Sequence, residues 1–599
     1  MITSRRKLLS ILPASLLLCG GAWASNKQKK ESASQSNTEI FTTPQSYGIE
    51  PGNHINGESM ARMISAGGDI RFIKPGTYIT DRTLIIPSFT RVWVGSGVTI
   101  KLADNSNCNI FQNKAFNEKS TVPDEVIEIT GPGEIDFNGK NQKTSGLTHM
   151  CSILKNIKNL SIGGGIKVLN ANKYAWLVAQ IEQFTADDLV FDTHSDGLHC
   201  QPPIQHAYIR NLKGKTGDDM LAFTIGDYAQ YNISEIGGFS DVDVSGIFCD
   251  NALCAVKITG DGTGVFKNLR VNGIYGNTQH AVFRIWGDTN LTGTKIQNLT
   301  VENIYAAAGE SYSTVEIDDR GFGKGDCGIE IDDAIFRGIY ASNVSAQTIY
   351  ISGTYGTVIK NITLENLPDK ALTLVGLNQK NVQVINLSIL NTSTSFEENT
   401  NSTVVLNRGN ITRLNINNVY ANFKSEKNGS IARLLNACTV THAYFTNVTQ
   451  VNGARSWDDT LKPMVNPSEL TMNGFTLRGN CRLVQTLGST LRVNLSGCSV
   501  ITDTKQESFF ANGGEIILSG NIRTNDNCVG IASGGVVKIE SGINNILCDI
   551  SMINAESGCV VINSNGKLSC GDGMVIYDGR SWKNMATGKE YIKESQKPL

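Results

Sequence analysis

Three carboxylates in this sequence stand where acid–base chemistry needs them. Asp196 lies in Thr193-His194-Ser195-Asp196-Gly197-Leu198-His199, and Asp218 and Asp219 lie in Thr216-Gly217-Asp218-Asp219-Met220-Leu221-Ala222. Each phrase follows a similar short apolar run, with Asp196 eight residues after Asp188 and Asp219 eight after Asn211. If those runs are stacked strands ~4.8 Å apart, the three carboxylates meet on one outer surface. Like charges so close raise at least one pKa, giving one protonated acid and one ionised base, the pair that cleaves a glycosidic bond. Asp-Gly and Gly-Asp-Asp are also ordinary turn residues; the shared register and the nearby histidines are what favour the catalytic reading.

Aligning the segments after each turn puts His199, Ala222, Lys257 and Arg284 on one outward ladder beside the carboxylates. Trp286, two residues beyond Arg284, falls on the same side. Cations of this kind bind sugar carboxylates, and an indole offers a platform for a sugar ring. A solvated charged face and a packed indole are the simpler alternatives. A second acidic stretch, Glu316-Ile317-Asp318-Asp319 through Asp326 to Glu330-Ile331-Asp332-Asp333, has the ligand type for calcium but not the spacing of an EF-hand, so a solvated loop is the better reading. No Gly-rich phosphate loop, metal-ligand cluster or Ser/His/Asp arrangement is present, and no cofactor is expected.

The elements that must hold these residues form a repeat. A phrase headed by Asn or a polar residue and continued by alternating apolar residues recurs as Asn159-Leu160-Ser161-Ile162, Asp188-Leu189-Val190-Phe191, Asn211-Leu212-Lys213, Asn268-Leu269-Arg270-Val271, Asn298-Leu299-Thr300-Val301, Asn361-Ile362-Thr363-Leu364, Asn386-Leu387-Ser388-Ile389 and Arg413-Leu414-Asn415-Ile416. The period is about 23 to 30 residues, and no helical spacing is sustained. A unit of several short strands that buries its inward side chains only by stacking on its neighbours is one coil of a right-handed parallel β-helix. The fold class is therefore all-β, a single-stranded right-handed parallel β-helix. A short amphipathic helix in Asn53 to Ala66 caps one end, and a small β extension, with a hairpin read in Gly571 to Trp582, closes the other. The corner Asn residues are expected to stack as an amide ladder, which accounts for triplets such as Asn298-Leu299-Thr300 without glycosylation.

On these residues the chain resembles the polygalacturonase-type glycoside hydrolases of the pectin-lyase-like fold. His194-Ser195-Asp196 takes the place of their Asn-Thr-Asp, and Gly217-Asp218-Asp219 that of their Asp-Asp pair one coil later. Ala255-Val256-Lys257-Ile258-Thr259-Gly260 stands where their Arg-Ile-Lys would fall, with Lys257 for the Arg and Thr259 for the Lys. The resemblance implies that Asp218 is the general acid and that Asp196 and Asp219 activate the water of an inverting hydrolysis. His194, His199, Lys257, Arg284 and Trp286 are then substrate-binding candidates. One motif departs: no Gly-His-Gly lies between Asp219 and Lys257, where the nearest phrase is Ile225-Gly226-Asp227.

Composition serves mainly to exclude classes. The 599 residues carry 53 Lys+Arg against 55 Asp+Glu, so no basic excess steers the chain to nucleic acid. Charged residues are 18%, and Gly reaches 60 against 13 Pro, which disfavours coiled coils and disorder. The long apolar run, Leu8 to Ala24, follows Ser4-Arg5-Arg6-Lys7 and ends in Ala22-Trp23-Ala24, the pattern of an export signal, with a twin-arginine character slightly favoured and Cys19 a weaker hint of a lipoprotein. The chain is read as signal (1–25), flexible linker (26–45), β-helix with the site (46–455) and C-terminal continuation (456–599). Its 14 Cys, scattered singly, read mostly as small buried residues, with one or two local disulfides allowed. The expected partner is an acidic polysaccharide met in the periplasm or outside the cell, with no nucleic acid and no stable membrane insertion after signal cleavage. A polysaccharide lyase using Lys257, Arg284 or His199 as base, and a non-catalytic exopolysaccharide-binding protein, are the competing functions.

Overall fold

Short runs of alternating apolar residues cannot bury a face alone, and here each pairs with the equivalent run one coil before and one coil after. The computed structural model describes residues 41–591 except 288–292, 320–327, 341–346, 368–372, 397–401, 427, 437, 459–468, 488–490, 505, 520, 526–527, 534, 540–548, 551–559, 564–572 and 578–581. The export signal, most of the linker, Asp326 and parts of the hairpin read in Gly571 to Trp582 lie outside the described residues.

The strands form a right-handed parallel β-helix, as the repeat implied. One inward position can be followed through Leu160, Phe184, Ala207, Val242, Leu269, Leu299, Ala334, Ile362, Leu387, Leu414 and Ala443, each paired in parallel with the next. All are buried in one continuous apolar core. Each of the larger side chains among them contributes about 1.5–3 kcal/mol by leaving water, so the stack itself drives the coiling. Parallel pairing starts at the Thr42–Ile70 bridge and continues to Val536–Ile539 against Val560–Asn563. Beyond it Gly573–Tyr577 and Trp582–Asn584 pair antiparallel, a small β extension.

Corner residues behave as the repeated phrase predicts. Asn211, Asn268 and Asn298 sit in the left-handed region with φ of 53°, 54° and 59°, which Asn tolerates better than other residues with a side chain. The Asn298 amide donates to Asn268 at 2.9 Å, Asn268 to Asp241 at 2.8 Å and Asn386 to Asn361 at 2.7 Å, an amide ladder along the corner. At the N-terminal end the helix runs Gly57–Ser65 and buries Met60, Met63 and Ile64. It is shorter than the expected 53–66, because Ile55 is drawn into a bridge with Ile79 instead. Among the described residues nine cysteines are free, eight of them buried, as small apolar side chains would be.

Three long strands, Ser152–Leu169, Trp176–Thr193 and Leu198–Thr216, supply the coils that carry the site. The next coil is interrupted: after Leu221–Thr224 a segment of irregular backbone, 225–238, precedes Phe239–Ala252.

Candidate active site

The two carboxylate-bearing turns are copies of one another. Thr193 pairs with Thr216 across adjacent coils. Thr193 Oγ1 donates to the Ser195 carbonyl at 2.9 Å, and Thr216 Oγ1 to the Asp218 carbonyl at 2.8 Å, so each turn is closed by its own threonine. Gly217 is required by the close stacking, since a Cβ there would lie 2.2 Å from the His194 carbonyl oxygen. The result brings one oxygen each of Asp196, Asp218 and Asp219 within 4.8 Å of one another. His194, on the same turn, is exposed and does not line the cleft these residues share.

The three carboxylates differ in environment. Asp196 is buried, which by itself would raise its pKa. His199 Nδ1 at 2.7 Å, helped by Lys173 and Lys257, outweighs that and holds it at about 2. Asp218 is pushed the other way, to about 7, by burial and then by the charges of Asp196 and Asp219, with Lys257 and Lys173 offsetting only part. Asp219 is also raised, mainly by burial, although Lys257 Nζ stands 3.2 Å from its Oδ2. The Asp218 side chain is 30% exposed, against 4% for Asp196 and 2% for Asp219, so Asp218 is the carboxyl that faces the cleft.

His199 is clamped from both sides. Its Nε2 lies 3.2 Å from Asp227 Oδ2, an ion-pair contact too far off the N–H axis to be an aligned hydrogen bond. Tyr174 stacks on the imidazole with ring centres 3.7 Å apart. Burial would lower the pKa of the ring, but Asp196 and Asp227 reverse this and raise it to about 9. Asp227 in turn accepts from Tyr174 at 2.8 Å and Gln201 at 3.0 Å. Gly226 makes that turn possible, with φ of 74° and an added Cβ only 2.2 Å from Asp261 Oδ2. Lys173 Nζ, from the preceding coil, lies 3.5 Å from Asp218 Oδ2 and donates to Ser195 Oγ at 3.2 Å. With Asp218 protonated, three carboxylates face three cations.

The outward ladder read from the sequence is present in register: His199, Ala222, Lys257 and Arg284 pair in successive coils, followed by Glu316 and Tyr350. Arg284 and Lys257 lie 4.1 and 5.0 Å from the centre of the Trp286 ring. Arg284 Nε also meets Glu316 Oε2 at 3.4 Å. His199, Ala222, Lys257, Arg284 and Trp286 line, with the three carboxylates, a cleft of about 400 Å³ that runs across the coils. Asp227, Lys173 and Tyr174 are site residues that motif reasoning did not select.

The carboxylate trio is the donor set a cation would take, yet Lys173 and Lys257 already supply its countercharge from within the chain. The second acidic stretch is not the solvated loop expected from the sequence: Val315–Asp318 and Gly328–Ile339 are strands, and Glu316, Asp318 and Asp319 are buried with partners inside the protein. Glu316 pairs with Arg284, Asp318 accepts from Ser352, Asp319 accepts from the backbone N–H groups of Thr354, Tyr355 and Gly356, and Asp332 pairs with Lys360.

No protein-family model matches the chain, and no curated protein matches it. Among solved structures it is similar to a family 28 exopolygalacturonase of Yersinia enterocolitica, at 13% identity over 64% of this chain and 78% of that one, with a TM-score of 0.40. It is similar to an exopolygalacturonase of Thermotoga maritima at 11% identity, covering 67% and 92% of the two chains, with a TM-score of 0.34. The N-terminal fragment of bacteriophage phi29 gene product 12 shares 12% identity over 93% and 96%, with a TM-score of 0.40.

Proposed function

We propose that the protein hydrolyses glycosidic bonds of a uronate-bearing polysaccharide with inversion. The observation that carries this is the division among the carboxylates: Asp218 faces the cleft and keeps a proton near neutral pH, while Asp196 beside charged His199 stays ionised. Asp218 gives its proton to the glycosidic oxygen as the C–O bond breaks. Asp196, with Asp219, takes a proton from the water whose oxygen bonds to the anomeric carbon. One water is consumed, two shorter chains leave, Asp196 gives its proton up to solvent, and solvent returns one to Asp218.

Carboxylate oxygens this close are nearer the separation of retaining enzymes, about 5 Å, than the roughly 6.5–9.5 Å of most inverting ones. Exposure argues the other way. A nucleophile must touch the anomeric carbon, whereas Asp196 and Asp219 are almost fully buried and are better placed to act on a smaller water. The anomer formed at first turnover, read by NMR, decides the point.

β-Elimination fits less well, because it needs a neutral base beside the uronate. Lys257 is held charged by Asp219, Asp218 and Asp196, against the effect of its burial, and His199 is charged between its two carboxylates. The export signal read in residues 1–25 gives access to such a polymer. The test is to incubate the mature protein with a panel of acidic polysaccharides and follow both reducing ends and the absorbance of unsaturated products. Reducing ends without that absorbance support hydrolysis; unsaturated products would replace it with a lyase.

A further inference from the structure

The cleft changes character one coil beyond Lys257. On its turn edge, the Leu253 N–H donates to the Asp218 carbonyl at 2.9 Å and the His280 N–H to the Leu253 carbonyl at 2.9 Å, so Asp218, Leu253 and His280 stand in successive coils. The His280 ring stacks on Tyr312 of the coil after, with ring centres 4.2 Å apart. On the strand edge the coils of Asp218, Leu253 and His280 supply Ala222, Lys257 and Arg284. All of these residues line the cleft. One coil advances ~4.8 Å, close to the rise of one unit in an extended polysaccharide, so a chain lying across the coils sets successive sugars against successive coils.

The two cations of the strand edge are not equivalent. Lys257 pairs with Asp219 at 3.2 Å, yet its side chain is 22% exposed and can reach a ligand. Arg284 is 10% exposed and stands 3.4 Å from Glu316, itself 8% exposed. Its guanidinium also lies 4.1 Å from the centre of the Trp286 ring. To take a substrate carboxylate, Arg284 would have to leave Glu316 buried and charged, which is costly.

What the cleft shows at that coil is aromatic and uncharged: Trp286, His280 and Tyr312, each half-buried. Burial, and then the charges of Arg284 and Lys257, hold the His280 pKa below the ordinary 6.5, so the ring is neutral at neutral pH. Its Nδ1 is buried without a hydrogen-bond partner, which leaves Nε2 as the nitrogen to meet the cleft. A neutral imidazole gives a hydrogen bond to a sugar hydroxyl or accepts one, and aromatic rings pack on the C–H face of a neutral sugar. A carboxylate placed there would lose water next to Glu316, with Arg284 already paired.

We propose that the sugar bound beside Lys257 carries the carboxylate and that the next one outward, against Trp286, His280 and Tyr312, is neutral. The substrate is then a heteropolysaccharide in which an acidic unit adjoins a neutral hexose, rather than a homouronan. This rests on the polysaccharide-cleaving reading above and specifies its substrate class.

The experiment gives the full mature chain two sets of acidic polymers and follows released ends. Polygalacturonate and polymannuronate are homouronans; hyaluronan and unsulfated chondroitin alternate a uronate with a neutral sugar. Whichever polymer is cut fastest should have a neutral sugar next to an acidic one, with the homouronans at least tenfold slower. A homouronan cut as fast or faster overturns the neutral subsite and leaves the cleavage reading intact. A second arm uses the Asp218→Asn protein and calorimetry with a matched pair, a tetragalacturonate and the same oligomer with alternate carboxyl groups reduced to hydroxymethyl. The alternating form should bind at least tenfold tighter, and equal or weaker binding overturns the proposal. Adding His280→Ala should bring the two affinities within about threefold of each other; an unchanged preference would remove His280 from the subsite and overturn its part. If no polymer is cut and neither oligomer is bound, the function reading fails and this inference fails with it.

Discussion

Replacing Asp218 by Asn removes one proton from the site and leaves its shape, and two readouts should then move in opposite directions. Turnover should fall by about 10² to 10⁴, the usual loss for a positioned general acid. Stability should rise, and only at higher pH. In the folded protein Asp218 holds its proton up to about 7, against 3.8 for the free carboxyl, chiefly because it is buried next to Asp196 and Asp219. The native state therefore binds more protons than the unfolded chain between those two values, and linkage makes wild-type stability fall as pH rises through that window. A shift of this size corresponds to roughly 4 kcal/mol if taken whole. With the side chain 30% exposed, solvent screens part of it, and a gain of about 1–2 kcal/mol for the variant at slightly alkaline pH is expected. Denaturant melts of both proteins from mildly acid to mildly alkaline pH measure the difference, while released reducing ends measure turnover. The wild-type rate should also decline as pH rises through about 7, where Asp218 loses the proton it must donate. A variant that keeps full turnover, or a stability difference that stays flat across the window, would refute the assignment of Asp218 as the acid.

How much of this was legible in the sequence follows from what kind of interaction carries each part. The coil period is a local pattern, and the Asn-headed phrase marked both the strands and the left-handed corners, so Asn211, Asn268 and Asn298 could be placed without a structure. The ladder from His199 to Arg284 was legible for the same reason: parallel stacking turns an offset along the chain into a position in space. Asp227 was not. Its phrase, Ile225-Gly226-Asp227, was visible, but it reaches His199 through an irregular segment whose path no periodicity describes. Lys173 and Tyr174 were hidden differently, in a turn one coil earlier, where a Lys-Tyr pair has no special spacing. Only the stacking of coils shows that Lys173 faces Asp218 and that Tyr174 lies flat on His199. The same limit applies to His194. Sharing a turn with Asp196 made it a candidate, yet alternation along the turn leaves it exposed while Ser195 and Asp196 turn inward.

Three further perturbations separate binding, fold and electrostatics. In an Asp218→Asn background, Lys257→Met should weaken an acidic oligosaccharide relative to a neutral one of equal length by roughly 10- to 150-fold, the worth of a charged hydrogen bond, measured by calorimetry. Equal losses on both would show that its 3.2 Å pairing with Asp219 is its whole role. At the corner, Asn298→Ala should cost about 1–2 kcal/mol in denaturant melts and Asn298→Gly less, because φ of 59° strains an alanine; a glycine variant less stable than the alanine one would contradict the ladder argument. His199→Gln tests whether the imidazole acts by its charge. Its folded pKa of about 9 lies above the ordinary 6.5, so its stabilisation is complete below that lower value and is lost as pH rises through the upper one. Gln keeps a donor but no charge, and should cost about 3 kcal/mol in mildly acid solution, with the gap to wild type closing towards pH 9. Because Asp196 then loses the cation that holds it near 2, the acid limb of the rate profile should move to higher pH. If His199 served only as a flat surface for Tyr174, the stability loss would be the same at every pH and the acid limb would not move.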